Sequence, residues 1–184
     1  MIISFSGAQS TGKTTLLKEC QTKFQHLEYV PEVTRLVKRE YNLPINEEGN
    51  NITQTMIMSM HMHNAFINRT KDCVLDRCSL DGIVYTHWLC NKRHVTMDVY
   101  THARSVFNAT IDRYDCILYP EPNDVQLVDD GERSVDIDFR NEIIELFDQY
   151  KRFVPTDKIV TLKGSVEERM KQIETIFKTF NIVK

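Results

Sequence analysis

The sequence lacks the features that mark membrane and secreted proteins. Its 184 residues contain no apolar run of about 18 residues, the length that a membrane-spanning helix needs. The first residues, MIISFS, are typical of a strand and carry no positively charged segment of the kind that opens a secretory signal. We therefore expect a cytoplasmic protein with no membrane partner.

Disulfide and metal-binding signatures are absent as well. The five cysteines are odd in number, and no two of them have C-x-x-C spacing. This pattern indicates free, mostly buried thiols rather than a disulfide framework or a zinc site. His61 and His63 lie two residues apart on a predicted helix, so they face different sides and make a poor metal pair.

Basic clusters and linkers are also missing. Lys and Arg are scattered, and the net charge of −3 argues against a broad nucleic-acid-binding surface but leaves a local basic groove open. The chain has no Ser/Gly-rich linker, internal repeat or low-complexity tract. Since this length suffices to bury one core, we expect residues 1–184 to form a single domain.

Short apolar runs alternate with longer helical patterns along the whole chain. The predicted strands are residues 2–5, 28–32, 74–75, 116–119 and 159–162. The predicted helices are residues 14–26, 32–41, 52–70, 79–90, 97–113, 137–152 and 166–180. This alternation predicts an α/β fold of three layers, with helices on both faces of a parallel sheet.

Capping signals support two of these helices. Ser165 and Glu168 form an S-x-x-E capping box, and Asn51 with Gln54 forms a similar cap for the methionine-rich helix. The last helix has one apolar stripe, made of Val166, Met170, Ile173, Phe177 and Phe180.

One segment near the amino terminus matches a phosphate-binding motif. Residues 7–14, GAQSTGKT, fit G-x-x-x-x-G-K-S/T and lie between a predicted strand and a predicted helix, which is the context that the motif requires. The glycines allow close backbone approach, and successive N–H groups form an anion nest at the helix N-terminus. The expected triphosphate-binding residues are Gly7, Ala8, Gln9, Ser10, Thr11, Gly12, Lys13, Thr14 and Thr15.

The motif also predicts the cofactors. Lys13 is expected to bridge the β- and γ-phosphates, and Thr14 is expected to offer its hydroxyl to Mg²⁺. A guanine-selecting Asn-Lys-x-Asp motif is missing, since Asn91-Lys92 has no acid two residues later. We therefore expect ATP and Mg²⁺.

Polar residues at the carboxyl ends of parallel strands are the next candidates, because ligands bind at that edge of an open sheet. In CVLDRCSLDG, Asp76 is placed like a Walker B acid and can hold Mg²⁺ or accept a proton, and Arg77 can bind a phosphate or the acceptor. Asp81 is a candidate substrate-binding residue or a helix-dipole partner. An ion pair between Asp76 and Arg77, or a cap by Asp76, is the structural alternative.

A second candidate group follows the predicted strand in YVPEVTRLVKRE. Glu32, Arg35 and Arg39 share one helical face, where they can meet a hydroxyl and an anionic group of a substrate. The alternative is an exposed salt-bridge ladder, which we favour for Arg39.

The polar segment at about residues 120–137 is expected to be a lid. Arg133 can act there as an arginine finger on the transferred phosphoryl group, and Arg140 can assist it. A surface loop is the alternative.

Together these segments resemble the kinase domain of bacterial nicotinamide riboside kinases, a group with stand-alone, often phage-encoded members. The resemblance rests on GAQSTGKTTLL, YVPEVTR, VLDRCSLDGIVYTHWL and DDGERSVDIDFRNEIIELF, and it covers nearly the whole chain. It implies a P-loop fold with a five-stranded sheet of order 2-3-1-4-5, ATP as donor and a nucleoside-like acceptor.

The chain departs from that family at two points. We expect these 184 residues to lack the adenylyltransferase domain that accompanies many such kinases, and RCSLDG differs from their usual Asp-Thr-rich run. The acceptor therefore stays open. By comparison with deoxynucleoside kinases Glu32 is the general base, whereas other small-molecule kinases place that role on Asp76.

Three functions are compatible with these patterns. The leading hypothesis is an ATP- and Mg²⁺-dependent kinase of a small nucleoside or nucleotide, with Lys13, Asp76, Glu32, Arg77 and Arg133 as catalytic residues. The alternatives are a polynucleotide or modified-base kinase and an ATPase switch without an organic acceptor. The oligomeric state is not predicted.

Overall fold

The computed structural model describes residues 1–67, 69–124 and 136–182. These ranges contain five strands and seven α-helices. The strands are β1 (Ile2–Phe5), β2 (Glu28–Val30), β3 (Cys73–Asp76), β4 (Cys116–Pro120) and β5 (Ile159–Leu162). The helices are α1 (Lys13–Lys23), α2 (Val33–Tyr41), α3 (Asn51–Phe66), α4 (Ser79–Asn91), α5 (Met97–Thr110), α6 (Ile137–Tyr150) and α7 (Val166–Thr179).

The strands form one parallel sheet in the order β2-β3-β1-β4-β5, so the expected fold class and strand order are confirmed. The register pairs Phe5 with Asp76 on one side and with Leu118 on the other. The carboxyl ends of the three central strands therefore meet at one edge, where a ligand of an open parallel sheet binds.

Each face of the sheet buries its own apolar cluster. Along β3 and β4 successive side chains alternate between the clusters: Leu75 and Ile117 pack on the α3–α6 side, while Val74 and Leu118 pack on the α1/α7 side. This alternation follows from the two-residue period of a strand. Burying each such side chain stabilises the fold by about 1.5–3 kcal/mol, so both layers of helices are fixed to the sheet.

The helix caps are predicted correctly at one site and wrongly at another. Ser165 and Glu168 form the expected capping box of α7. The cap of α3 is Asn50, which accepts from the Thr53 N–H at 3.1 Å. Asn51 instead accepts from the Thr96 N–H at 2.8 Å. Asn51 thereby links the start of α3 to the start of α5. This long-range hydrogen bond takes the place of the local capping bond that the sequence pattern predicted for Asn51.

The expected apolar stripe of α7 also needs a correction. Val166 is 43% exposed, whereas Arg169, one turn later, is 1% exposed and faces inward with Met170 and Ile173. A charged residue therefore occupies the buried face at a point where the sequence pattern suggested only apolar contacts.

The remaining general predictions concern thiols and membranes. All five cysteines are free, and all except Cys90 are buried. Among the described residues, no helix combines the length and the apolar character that crossing a bilayer requires.

Candidate active site

The loop that joins β1 to α1 has the backbone of a phosphate-binding turn. Gly7, Ser10 and Gly12 have φ angles of 135°, 54° and 87°, in the left-handed region. A Cβ on Gly7 would also lie 3.2 Å from the Tyr119 ring of β4. A side chain at position 7 is therefore strained by the backbone conformation and crowded by the Tyr119 ring. Gly12 caps α1, and the first turn of α1 contains no acidic residue, so no carboxylate of that turn repels an anion at the helix N-terminus.

Lys13 is folded back onto this loop. Its Nζ donates to the carbonyls of Gly7 at 2.8 Å and Ala8 at 2.5 Å and to the Thr11 hydroxyl at 3.2 Å. Burial, together with the nearby Arg77 guanidinium, lowers the pKa of Lys13 to about 7. Anionic phosphate oxygens are stronger partners for an ammonium than carbonyls, so a triphosphate draws this group out of the loop.

Glu32 and Arg77 leave the sheet side by side because Val30 pairs with Leu75, and each of the two lies two residues further on. Arg77 Nε donates to Glu32 Oε1 at 2.7 Å. Arg35 Nε donates to Glu32 Oε2 at 3.1 Å. Burial opposes the charge of Glu32, but these two guanidiniums outweigh it and hold the pKa of Glu32 below its usual value. Glu32 is therefore ionised at neutral pH.

Arg77 has an unusual backbone, with φ at 75°. This conformation costs a non-glycine residue about 1–3 kcal/mol and persists only where contacts enforce it. Here Nη1 donates to Asp81 Oδ1 at 2.9 Å and to the Gly7 carbonyl at 3.2 Å. The strain is located where the candidate site brings β3, the phosphate-binding loop and α4 together.

Asp81 remains a candidate substrate-binding residue, and its carboxylate is hydrogen-bonded within the protein. Oδ1 accepts from the Gly7 N–H at 3.1 Å as well as from Arg77, and Oδ2 accepts from the Cys78 N–H at 3.2 Å. The last bond belongs to the capping box of α4. The carboxylate is thus held by protein donors on both oxygens, and it fastens α4 to the phosphate-binding loop.

Two clefts meet at Glu32. The α3–α4 cleft is narrow, with a volume of about 20 Å³, and is lined by Glu32, Thr34, Asn46, Gln54, Ile57, His61, Arg77, Asp81, Gly82 and Tyr85. The α1–α2 cleft has a volume of about 230 Å³ and is lined by Thr14, Leu17, Gln21, Tyr29, Val30, Pro31, Glu32, Arg35, Leu36, Arg39 and Asp76. Glu32 lines both clefts, so one carboxylate lies between Thr14 of the phosphate-binding loop and a narrow polar and aromatic cleft.

The sequence matches a known protein-family model over most of its length. The family model AAA_28, described as an AAA domain, matches residues 2–169. The chain belongs to this AAA domain family. Comparison with curated protein sequences gives no match.

Three solved structures illustrate the fold that this AAA domain shares with known proteins. The NadR protein in complex with NR has a TM-score of 0.73 and 21% identity, over 100% of this chain and 52% of that chain. Deoxyadenosine kinase from M. mycoides, with dCMP and dCDP bound, has a TM-score of 0.72 and 14% identity, over 98% of this chain and 100% of that chain. Thymidylate kinase from Candida albicans has a TM-score of 0.65 and 14% identity, over 98% and 92%.

These comparisons confirm the resemblance to nicotinamide riboside kinases at the level of the P-loop nucleoside-kinase fold. This AAA domain spans about half the length of the NadR chains that it matches, 52% and 50%.

The residues expected to hold Mg²⁺ fit that ion chemically. Thr14 and Asp76 line the α1–α2 cleft together and offer a hydroxyl and a carboxylate, oxygen ligands of the kind that Mg²⁺ prefers. Burial, reinforced by Glu32, raises the pKa of Asp76 to about 6. A cation beside Asp76 would stabilise its ionised form.

The other predicted arginines fall into three groups. Arg39 is exposed, pairs with its chain neighbour Glu40 at 2.8 Å and lines the α1–α2 cleft. Arg140 donates to the carbonyls of Gln9 at 3.4 Å and Pro122 at 2.6 Å, so it joins the phosphate-binding loop to the segment after β4. Arg133 and most of the expected lid lie outside the described residues, which stop at Asp124 and resume at Asp136.

Thr15, the last of the expected triphosphate-binding residues, lies exposed on α1.

Sequence reasoning missed Arg169. Its guanidinium donates to the Thr11 carbonyl at 2.7 Å, to the Glu121 carbonyl at 2.9 Å and to Asp124 Oδ2 at 3.2 Å. It thus braces the phosphate-binding loop against the end of β4. The available signal was its spacing, because Arg169 lies three residues after Val166 and four before Ile173, on the face predicted to be apolar.

His61 lies at the back of the α3–α4 cleft and is 2% exposed. Burial lowers the pKa of His61 to about 4, with Arg77 acting in the same direction and Asp81 and Glu32 opposing it. The imidazole is therefore neutral at pH 7 and presents one donor and one acceptor to the cleft.

This burial predicts an acid-sensitive fold. The unfolded chain binds a proton at His61 near pH 6.5, whereas the folded chain does so only near pH 4, so stability falls as pH decreases between these values. Relative to wild type, His61→Gln should lose about 2 kcal/mol less free energy of unfolding between pH 7 and pH 5. Urea unfolding at both pH values measures this difference, and equal losses would contradict the neutral buried imidazole.

Proposed function

We propose that this protein is an ATP- and Mg²⁺-dependent kinase that phosphorylates a hydroxyl group of a small nucleoside-like molecule. The supporting observation is the position of Glu32, which lines both the cleft that contains Thr14 and Asp76 and the narrow α3–α4 cleft. An acceptor that widened the second cleft and bound there would have its hydroxyl at the boundary with the first. Glu32 is the carboxylate at that boundary.

The reaction is an in-line transfer. The acceptor oxygen forms a bond to the γ-phosphorus while the bond from that phosphorus to the β–γ bridging oxygen breaks, and ADP leaves. Glu32 accepts the hydrogen bond of the acceptor hydroxyl and then takes its proton. Because the transition state is loose, an ionised carboxylate of low pKa is sufficient for this step.

Cationic groups of the chain stabilise the charge that moves. Lys13 leaves the Gly7 and Ala8 carbonyls and binds the β- and γ-phosphates. Arg77, fixed by Glu32 and Asp81, lies beside the transferred group and needs little reorganisation. Thr14 and Asp76 would hold Mg²⁺, which would neutralise part of the phosphate charge.

The charge of the α3–α4 cleft favours an acceptor without a phosphate. Among the described residues that line it, Glu32 and Asp81 are negative and Arg77 is positive, and Arg77 is paired with both carboxylates. With His61 neutral, a doubly charged monophosphate would meet no surplus of positive charge there. A neutral nucleoside or a cationic one such as nicotinamide riboside fits better.

A panel of acceptors tests this function. Wild-type protein with ATP and Mg²⁺ should phosphorylate at least one member of a nucleoside set that includes nicotinamide riboside. Its kcat/KM should exceed that of the matching monophosphate about tenfold or more. Mass spectrometry of the products identifies the acceptor. Preference for a monophosphate or a 5′-hydroxyl oligonucleotide, or release of phosphate alone, would contradict the proposal.

A further inference from the structure

The peptide groups of Gly7, the first residue of the phosphate-binding loop, are held by charged side chains on both sides. Asp81 Oδ1 accepts from the Gly7 N–H at 3.1 Å. The Gly7 carbonyl accepts from Arg77 Nη1 at 3.2 Å and from Lys13 Nζ at 2.8 Å. A carboxylate from α4 and a guanidinium from the end of β3 therefore fix the backbone of the loop directly.

Two cations share the Gly7 carbonyl, but they are anchored differently. Arg77 is 9% exposed and is tied to Glu32 at 2.7 Å and to Asp81 at 2.9 Å. Lys13 is held mainly by carbonyls of the loop itself. The two cations repel each other at this carbonyl. When a triphosphate binds, it attracts the more weakly anchored ammonium of Lys13 away, while Arg77 stays on the carbonyl. The Gly7 peptide then keeps its orientation through Asp81 and Arg77 alone.

We propose that Asp81 is a positioning residue that holds the phosphate-binding loop in its donor-binding shape. It acts through the Gly7 N–H and through Arg77, and it does so before any acceptor is bound. Asp81 is 2% exposed, and both of its oxygens accept from protein donors. The inference rests on the proposed function in one respect: the ligand of the loop is taken to be a nucleoside triphosphate.

This role differs measurably from a contact with the acceptor. If Asp81 contacted only the acceptor, its replacement would weaken acceptor binding and leave donor binding unchanged. If Asp81 positions the loop, donor affinity falls even in the absence of an acceptor. Loss of a buried charged hydrogen-bonding partner predicts a decrease of roughly tenfold to a hundredfold.

The test is a calorimetric titration with a non-hydrolysable ATP analogue and Mg²⁺ in the absence of acceptor. Asp81→Asn should bind the analogue roughly tenfold to a hundredfold more weakly than wild type. Asp157→Asn is the matched control, because it makes the same substitution at an exposed position before β5. This control should bind the analogue as wild type does. Circular dichroism confirms that each variant is folded at the titration temperature.

A second variant makes the test decisive. Asp81→Glu retains the charge that compensates Arg77 but moves the carboxylate by one methylene away from the Gly7 N–H, and it too should bind the analogue more weakly. Wild-type donor affinity in a folded variant, with any loss confined to the acceptor, would overturn the positioning role. Failure of wild-type protein to bind the analogue would instead refute the proposed function, so the two failures are distinguishable.

Discussion

Replacing Lys13 with alanine should lower kcat/KM for phosphoryl transfer about a thousandfold. The wild-type ammonium is buried against the Gly7 and Ala8 carbonyls, within reach of the phosphates that the loop is shaped to hold. Alanine leaves the loop backbone in place but removes the positive charge that offsets charge on the β- and γ-phosphates. Initial rates of product formation at saturating acceptor measure the effect.

Lys18→Ala is the matched control for this substitution. Lys18 belongs to the same helix and is exposed, so its removal changes the net charge equally without touching the loop. Its kcat/KM should stay within about twofold of wild type, because exposed charges contribute little. Equal losses in the two variants, or full activity of Lys13→Ala, would refute the assignment of the triphosphate to this loop.

Replacing Glu32 with glutamine should lower kcat about a hundredfold or more, the range for loss of a positioned proton acceptor. The amide keeps the size of the side chain but cannot take the proton of the acceptor hydroxyl, and it weakens the ion pairs with Arg77 and Arg35. Rapid-quench measurement of a single turnover isolates the chemical step.

Glu40→Gln provides the comparison, since Glu40 lies at the other end of α2 and pairs with the exposed Arg39. It should leave kcat unchanged. If Glu32→Gln transferred phosphate at the wild-type rate while Asp76→Asn did not, the proton acceptor would be Asp76, the other acid that the sequence suggested.

The layered fold was predictable because its signals are local. Runs such as Ile2–Phe5 and Ile159–Leu162 are too short and too apolar for helices, and polar or glycine residues follow them. The strand order itself came from the family resemblance. Helix ends were less predictable: the third helix was expected to reach residue 70, but α3 ends at Phe66. The next residue, Ile67, has the extended backbone with ψ at 133°, which local patterns did not indicate.

The candidate site was predictable to the extent that it is contiguous. The loop from Gly7 to Thr14 consists of consecutive residues, so its motif could be found without a structure. The bonds from Asp81 to Gly7 and from Arg169 to Thr11 join residues 74 and 158 positions apart. Such contacts depend on how α4 and α7 pack against the sheet, and no local pattern encodes that packing.

The most direct test of the central claim is calorimetric titration of wild-type protein with a non-hydrolysable ATP analogue, with and without Mg²⁺, at two temperatures. The account predicts one binding site per chain, tighter binding with Mg²⁺ and loss of binding in Lys13→Ala. Absence of heat at both temperatures, or equal binding by wild type and Lys13→Ala, would contradict it.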